Sequence, residues 1–372
     1  MIYDRIVIKV GTSTITGGTK KMDKARLIDL VRQLSWIEDH GTKAVLVSSG
    51  AIATGRELMD YPHFSKHIPG KQMLAAIGQP YLMSVFSDIF QMYNHTAAQI
   101  LMTRDDFMER RKYLNARNTL EGLLDQNVIP IINENDTLAI EEIKVGDNDT
   151  LSAYVAGLIG ADLLVLVTDQ DGLFTANPES DASAKLISMV DSSEIPESIW
   201  EAAGGSISGL GTGGMVTKVK AADIARRMGT PTMIVNGSIP DILIRITSGE
   251  SFGTFFKSIG TVLESRKRFL LSGFKPNGPS IEADAGAVKA ILSGKSLLPA
   301  GIIHVSGTFD RSDTVRILDS EHHEIGTGMI NYSSEDVQKI MGCKASEIEE
   351  KLGCTYGDEV IHRDFMIIDR ES

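Results

Sequence analysis

The chain has 372 residues, beyond the size at which one hydrophobic core keeps growing, so two domains are expected. Hydrophobic residues at 42% and charged residues at 23% are the make-up of a globular protein, and no uninterrupted apolar run approaches the roughly 18 residues of a membrane span, so no membrane partner is expected. With 49 acidic against 37 basic residues the net charge is −12, which argues against general binding to nucleic acid or an anionic membrane.

From the N-terminus to about residue 260, short Val- and Ile-rich runs alternate with longer stretches of helical period. This is the α/β pattern: an open, mostly parallel sheet sandwiched by helices. The first run, 5–10, is short and contains Lys9, so it reads as a strand rather than a signal core. Further strands are expected at 43–48, 128–133, 163–168 and 231–236. The segment 263–280 breaks into a charged run followed by Gly273, Pro276, Asn277, Gly278 and Pro279 and reads as a linker between a first domain, 1–262, and a second, 281–372. Within the second, the β-like runs 302–305, 314–318 and 324–329 predict a small, mainly β unit. From Pro276 onward there are nine Lys and Arg against 17 Asp and Glu, so this unit carries most of the excess negative charge. Only Cys343 and Cys354 occur, with no CxxC or Cys/His cluster, which fits a reducing cytoplasm and no structural zinc.

In open α/β sheets, ligands collect beyond the carboxyl ends of the strands. Lys9 sits in Ile6-Val7-Ile8-Lys9-Val10, where a buried ammonium needs a negative partner or must snorkel to the strand end. The turn Gly11-Thr12-Ser13 behind it favours phosphate, with backbone N–H groups and a lysine at one strand end. Ser48-Ser49-Gly50 joins the next strand to a helix start, and its hydroxyls suit a bound carboxylate as well as a helix cap. Asn133-Glu134-Asn135-Asp136-Thr137 and Lys144-Val145-Gly146-Asp147-Asn148-Asp149-Thr150 alternate acids and amides. They fit turns and caps, and equally a polar pocket whose Asp and Asn side chains accept hydrogen bonds from a substrate ammonium. Thr168-Asp169-Gln170-Asp171-Gly172 makes a tight turn after the most hydrophobic strand and stands where a nucleotide would be bordered.

The most informative stretch is 206–218, Ser-Ile-Ser-Gly-Leu-Gly-Thr-Gly-Gly-Met-Val-Thr-Lys, with four glycines in six positions. Such a loop lets N–H groups converge on an anion, and Lys218 adds a mobile charge. Gly209, Gly211 and Gly214 match Gly-x-Gly-x-x-Gly, but no strand precedes them and no acidic residue follows about 20 positions on; Met215 and Val216 also exclude a Walker A loop. Two lysines, an anion cradle, several acids and no activated nucleophile or dedicated base point to phosphoryl transfer, with Mg²⁺ carried mainly by nucleotide phosphates. A carboxylate acceptor is ionised at neutral pH and needs no base.

Together, Ile8-Lys9-Val10-Gly11-Thr12-Ser13, Ser49-Gly50-Ala51-Ile52, Asn133-Glu134-Asn135-Asp136, Val145-Gly146-Asp147-Asn148-Asp149 and Gly209 to Lys218 resemble the amino acid kinase family over about residues 1–260, and within it the bacterial glutamate 5-kinases. Asp284-Ala285-Gly286-Ala287, Gly294-Lys295-Ser296-Leu297-Leu298-Pro299-Ala300-Gly301 and His362-Arg363-Asp364 are similar to the PUA domain. The resemblance implies transfer of the ATP γ-phosphoryl group to the side-chain carboxylate of L-glutamate, the first step of proline synthesis. It further implies inhibition by proline, a homo-oligomer (dimer or tetramer), and hand-off of the product to the next enzyme of the pathway. By matched motifs it implies that Lys9 and Lys218 stabilise the transferring phosphoryl group while Asp149 orients them. Ser49, Asp136 and Asn148 would hold glutamate. Lys9, Thr168 and Asp169, with Thr212, Gly213, Gly214, Met215, Val216, Thr217 and Lys218, would line the ATP site, and no residue is assigned to metal.

Related kinases of acetylglutamate or aspartate stay open as alternatives, as does RNA binding by the tail, which its acidity disfavours. Arg311-Ser312-Asp313 departs from the PUA pattern, which usually has Gly before the acidic residue, so a different turn is expected there. Because glutamyl phosphate is unstable in water, a lid is expected, with 60–70, punctuated by Pro62, Pro69 and Gly70, as its place.

Overall fold

Each of the five Val- and Ile-rich runs in the first 260 residues forms a strand in the computed structural model. The structure describes residues 1–61, 68–138, 148–176, 178, 181, 183–204, 214–260 and 278–368. The chain divides into two units, Met1–Thr261 and Val262–Ser372.

In the first unit the strands are β1 (Arg5–Val10), β2 (Lys43–Ser48), β3 (Thr96–Met102), β4 (Val128–Glu134), β5 (Leu163–Thr168), β6 (Met189–Val190), β7 (Thr232–Asn236) and β8 (Thr254–Phe256). They form one sheet in the order β3-β4-β2-β1-β5-β7-β8-β6. The pairs from β3 through β7 are parallel, and β8 runs antiparallel to β7. Between these strands run α1 (Thr12–Thr16), α2 (Lys24–Asp39), α3 (Ala51–Leu58), α4 (Ile68–Met92), α5 (Asp105–Met108), α6 (Arg110–Asp125), α7 (Asn148–Ile159), α8 (Glu197–Ala202), α9 (Met215–Arg227) and α10 (Ile242–Thr247).

Strand side chains alternate between the two faces of the sheet. Ile6, Ile8 and Val10 of β1 pack with Leu46, Ile131, Val165 and Val235 against α2, α4 and α10 in one buried cluster. Val7 and Lys9 therefore face the other way. Central β1, at 0% exposure for Ile6, Val7, Ile8 and Val10, has no apolar surface left to give water, so Lys9 owes its place to chemistry rather than packing.

Two elements escape the periodic pattern. Half-exposed β3 is an edge strand with a mixed face, TAAQILM. The 25-residue α4 is long and apolar enough to cross a membrane, yet it buries Leu74, Leu82, Phe86 and Phe90 in the core. Its contact with α3 is backbone on backbone. A Cβ on Gly78 would stand 1.9 Å from the Ala51 carbonyl oxygen, and one on Gly55 would stand 2.0 Å from that of Leu74. Because α3 begins directly after the Ser49-Gly50 turn, this close approach holds the end of β2 against the middle of α4.

The second unit is built on a five-stranded sheet in the order β10-β9-β11-β12-β13, from β9 (Ser280–Ala283), β10 (Ile302–Ser306), β11 (Thr314–Leu318), β12 (Glu324–Met329) and β13 (Met366–Ile368). Only the β9–β11 pair among them is parallel. Helices Ala285–Leu292, Ser334–Ile340 and Ile348–Leu352 complete a core of Ile281, Ile317, Tyr332, Val337, Ile340 and Phe309. Ser312 has a left-handed backbone at φ 76°, a conformation that strains a residue carrying a Cβ.

Candidate active site

Lys9 points from the second face of β1 toward the N-terminal end of α7, where its Nζ lies 2.7 Å from Asp149 Oδ1. The other carboxylate oxygen, Oδ2, receives Lys218 Nζ at 3.2 Å and the Thr217 hydroxyl at 2.6 Å, both from the first turn of α9. One carboxylate thus holds two ammonium groups, all of them nearly dry: Lys9 is 6% exposed and Asp149 4%. Burial by itself would raise the Asp149 carboxyl, but the charges of Lys9 and Lys218, followed by hydrogen bonds from Lys9 and Thr217, hold it below the ordinary range. Its place in the first turn of α7 works in the same direction. The cluster has one more positive than negative charge, and its geometry aims that surplus at the carboxyl ends of β1 and β5, where an anion gains most from it.

Beside this cluster lies a chain of amides. Asn148 Nδ2 donates to Ser49 Oγ and to Asn133 Oδ1, both at 3.0 Å. Asn133 Nδ2 donates in turn to Gln79 Oε1 at 2.8 Å. Asn148 Oδ1 is buried with no hydrogen-bond partner among the described residues, and so is Asp136 Oδ1. A buried acceptor left open is costly unless a ligand closes it. Burial also raises the Asp136 carboxyl to about 6.

Of the residues singled out in the sequence, the structure gathers Lys9, Asp149, Thr217 and Lys218 into one cluster, and Ser49 and Asn148 into a second that shares the α7 end. Asp136 follows β4 and is 7% exposed. Thr168 closes β5, where its hydroxyl donates to Asp169 Oδ1 at 3.2 Å; β5 pairs with β1 up to Val10 and Val167, so both residues stand next to the lysine strand. In α9, Gly214 precedes Met215, and Val216 turns its side chain into the core at 4% exposure, leaving only its backbone for a ligand. Thr212 and Gly213, residues 144–147, and 62–67 of the expected lid lie outside the described residues; Ile68, Pro69 and Gly70 open α4. Gln79 was invisible to pattern reading, since one glutamine within an apolar helix has no periodic signature; its only mark is the Gly78-Gln79-Pro80 interruption. Among the described residues no group of three or more His, Cys, Asp or Glu is placed to hold a metal ion.

The family model of the amino acid kinase family matches residues 4–236, and that of the PUA domain matches residues 279–352. The chain is 47% identical to the glutamate 5-kinase of Deinococcus radiodurans over 98% of its own length and 99% of that protein. It is 49% identical to that of Photobacterium profundum (98% and 96%) and 48% identical to that of Shewanella oneidensis (98% of each). Among solved structures, a UMP kinase from Bacillus anthracis has a TM-score of 0.49 at 16% identity, covering 69% of this chain and 97% of its own. With a buried lysine pair clasping one carboxylate at the carboxyl end of a parallel sheet, the chain is a kinase that belongs to the amino acid kinase family, among its glutamate 5-kinases, and carries a PUA domain at its C-terminal end.

Proposed function

We propose that the chain transfers the γ-phosphoryl group of ATP to the side-chain carboxylate of L-glutamate, giving L-glutamyl 5-phosphate for proline synthesis. The observation that carries this reading is Asp149 clasped by Lys9 and Lys218, 2.7 and 3.2 Å away. Phosphoryl transfer consists mostly of positioning and of neutralising charge on the transferring group. Two ammonium groups held by one acid are already desolvated and already aimed, so little reorganisation is needed as negative charge redistributes. Lys9, on the strand, and Lys218, at the helix start, approach the phosphoryl group from different elements, with Asp149 setting the distance between them. Mg²⁺ would be held mainly through the phosphates of ATP, where it would supply neutralising charge. Thr168, Asp169 and the Gly214 to Lys218 segment border the nucleotide, joined by Thr212 and Gly213.

The acceptor side follows from the open oxygens. A free α-ammonium supplies the donors that Asn148 Oδ1 and Asp136 Oδ1 lack, and Ser49 at the end of β2 faces a carboxylate. An acetylated amine would bring one donor and no charge, which disfavours an acetylglutamate substrate. Proline carries the same ammonium and α-carboxylate, and this shared chemistry supports it as an inhibitor. We further place the enzyme in the cytoplasm as a dimer or tetramer that passes its labile product to the next enzyme of the pathway.

The test is ATP turnover with Mg²⁺ and L-glutamate, trapping the acyl phosphate with hydroxylamine. Hydroxamate is expected from glutamate and not from acetylglutamate or aspartate; its absence with glutamate in folded protein overturns the reading.

A further inference from the structure

The amide chain beside the site has a direction. Asn148 Nδ2 donates to Asn133 Oδ1 at 3.0 Å, Asn133 Nδ2 donates to Gln79 Oε1 at 2.8 Å, and Gln79 Nε2 donates to Gln99 Oε1 at 3.2 Å. Along the relay each amide thus passes its NH₂ to the next oxygen away from Asn148, and Asn148 Oδ1 stands at its head. The backbone N–H of Glu134 adds a second donor to Asn133 Oδ1 at 2.8 Å, locking that oxygen as an acceptor. Asn148 spends both amide protons on Ser49 and Asn133, and only its Oδ1 is left open.

We infer that Gln79 is a positioning residue that, together with the Glu134 backbone N–H, holds the polarity of this relay, so that Asn148 presents an acceptor, and never a donor, to the ammonium group of the substrate. The inference rests on the glutamate reading above. An amide has nearly the same shape when flipped, so nothing in packing alone tells Asn133 or Asn148 which end to offer. The choice is made by hydrogen bonding: the Glu134 N–H fixes Asn133 Oδ1 as an acceptor, and Gln79, at 8% exposure and with little access to water, takes the Nδ2 that this leaves, whereas Gln99 on edge strand β3 is exposed. Were Gln79 unable to accept, Asn133 Nδ2 would be left buried without a partner, or Asn133 would flip against the Glu134 N–H and take Asn148 with it, turning an NH₂ toward a cation. Gln79 accepts from Asn133 on β4, and its neighbour Gly78 lets α4 press on α3. A helix one methyl further away would leave the relay open in the middle.

The experiment measures glutamate KM, ATP KM and kcat in the full chain, with inhibition by glutarate, which has both carboxylates and no ammonium. In Gln79→Met the glutamate KM is expected to rise about tenfold while ATP KM, kcat and the glutarate inhibition constant stay within about twofold. Should Gln79→Met fail to fold, Gln79→Glu and Gln79→Lys decide. Glu accepts from Asn133 and should keep glutamate KM near that of the parent, whereas Lys can only donate and should raise it about tenfold or more. A glutamate KM unchanged in Gln79→Met, glutarate binding lost in parallel with glutamate, or equal losses in the Glu and Lys variants would overturn the relay. Parent protein that forms no hydroxamate from glutamate would overturn the functional reading itself, a result distinct from any of these.

Discussion

The two units treat buried polar groups in opposite ways. In the C-terminal unit such groups close the fold on itself: Asn331 Nδ2 donates to the Glu359 carbonyl at 3.0 Å, the Tyr332 hydroxyl donates to the Gly357 carbonyl at 2.5 Å, and Ser334 Oγ accepts from the Phe309 N–H at 3.4 Å. In the N-terminal unit, Asn148 and Asp136 are buried just as deeply, yet each keeps an oxygen with no hydrogen bond among the described residues. The ion pairs differ likewise. Lys339–Asp336 in the C-terminal unit is solvated and contributes little, whereas Lys9–Asp149–Lys218 is desolvated and strongly coupled. These buried polar groups of the C-terminal unit are answered by their own chain; Asn148 and Asp136, beside the lysine cluster, each keep an oxygen that a ligand can answer.

The largest effect that sharpens this contrast is on turnover. Lys9→Met and Lys218→Ala are each expected to lower kcat about 1000-fold, read by hydroxamate formation. Either variant keeping more than a tenth of the parent activity would break the assignment of the cluster to catalysis. Next comes Gly78→Ala, whose Cβ would meet the Ala51 carbonyl oxygen at 1.9 Å. A loss of about 3 kcal/mol in urea unfolding is expected, together with weaker glutamate binding, because α3 and α4 must separate; an unchanged midpoint would show that the two helices tolerate a gap.

Asp136 gives a pH signature. Burial raises its carboxyl from 3.8 to about 6, so between these values the folded state binds more protons than the unfolded one, and stability falls as pH rises through that window by about 3 kcal/mol. Asp136→Asn should therefore be more stable than the parent at neutral pH, by up to that amount, and yet bind glutamate worse. In the parent, kcat/KM for glutamate should climb across about pH 6 as the carboxylate forms and then level off, and the step should vanish in Asp136→Asn. A parent profile already flat between about pH 5 and 7 would remove Asp136 from ammonium recognition.

The smallest effect belongs to the C-terminal unit. Ser312 is 2% exposed, holds φ at 76°, and leaves its hydroxyl buried without a partner. Ser312→Gly is expected to stabilise by about 0.5–1 kcal/mol in thermal unfolding and to leave hydroxamate formation unchanged. Here an open buried hydroxyl goes with strain at a turn, and a drop in kinase activity on its removal would show that the contrast between the units is drawn too sharply.

Much of the kinase unit was legible from its residues. The Val- and Ile-rich runs at 5–10, 43–48 and 163–168 coincide with β1, β2 and β5, because a central parallel strand is buried on both faces and so reads as an unbroken apolar run. The same rule hides what is not central. Edge strand β3 mixes exposed and half-buried positions and lacks both the run and the alternation, and α4, buried over much of its surface, lacks a helical stripe.

The site divides along the same line. That Lys9 inside an apolar strand needs a negative partner follows from the cost of burying an ammonium, and the residue types at each strand end narrow the chemistry to phosphate and carboxylate ligands. Which acid answers Lys9 is decided 140 residues later by the fold, where α7 delivers Asp149 to the face of the sheet that Ile6, Ile8 and Val10 do not occupy. Which end of Asn148 faces a substrate depends on Asn133, held between the Glu134 N–H and Gln79, a residue with no local signal on a helix whose contact with α3 exists only because two glycines leave room for it. Residue chemistry is local and can be read along the chain, whereas pairing and orientation depend on distances that only the packed sheet and helices create.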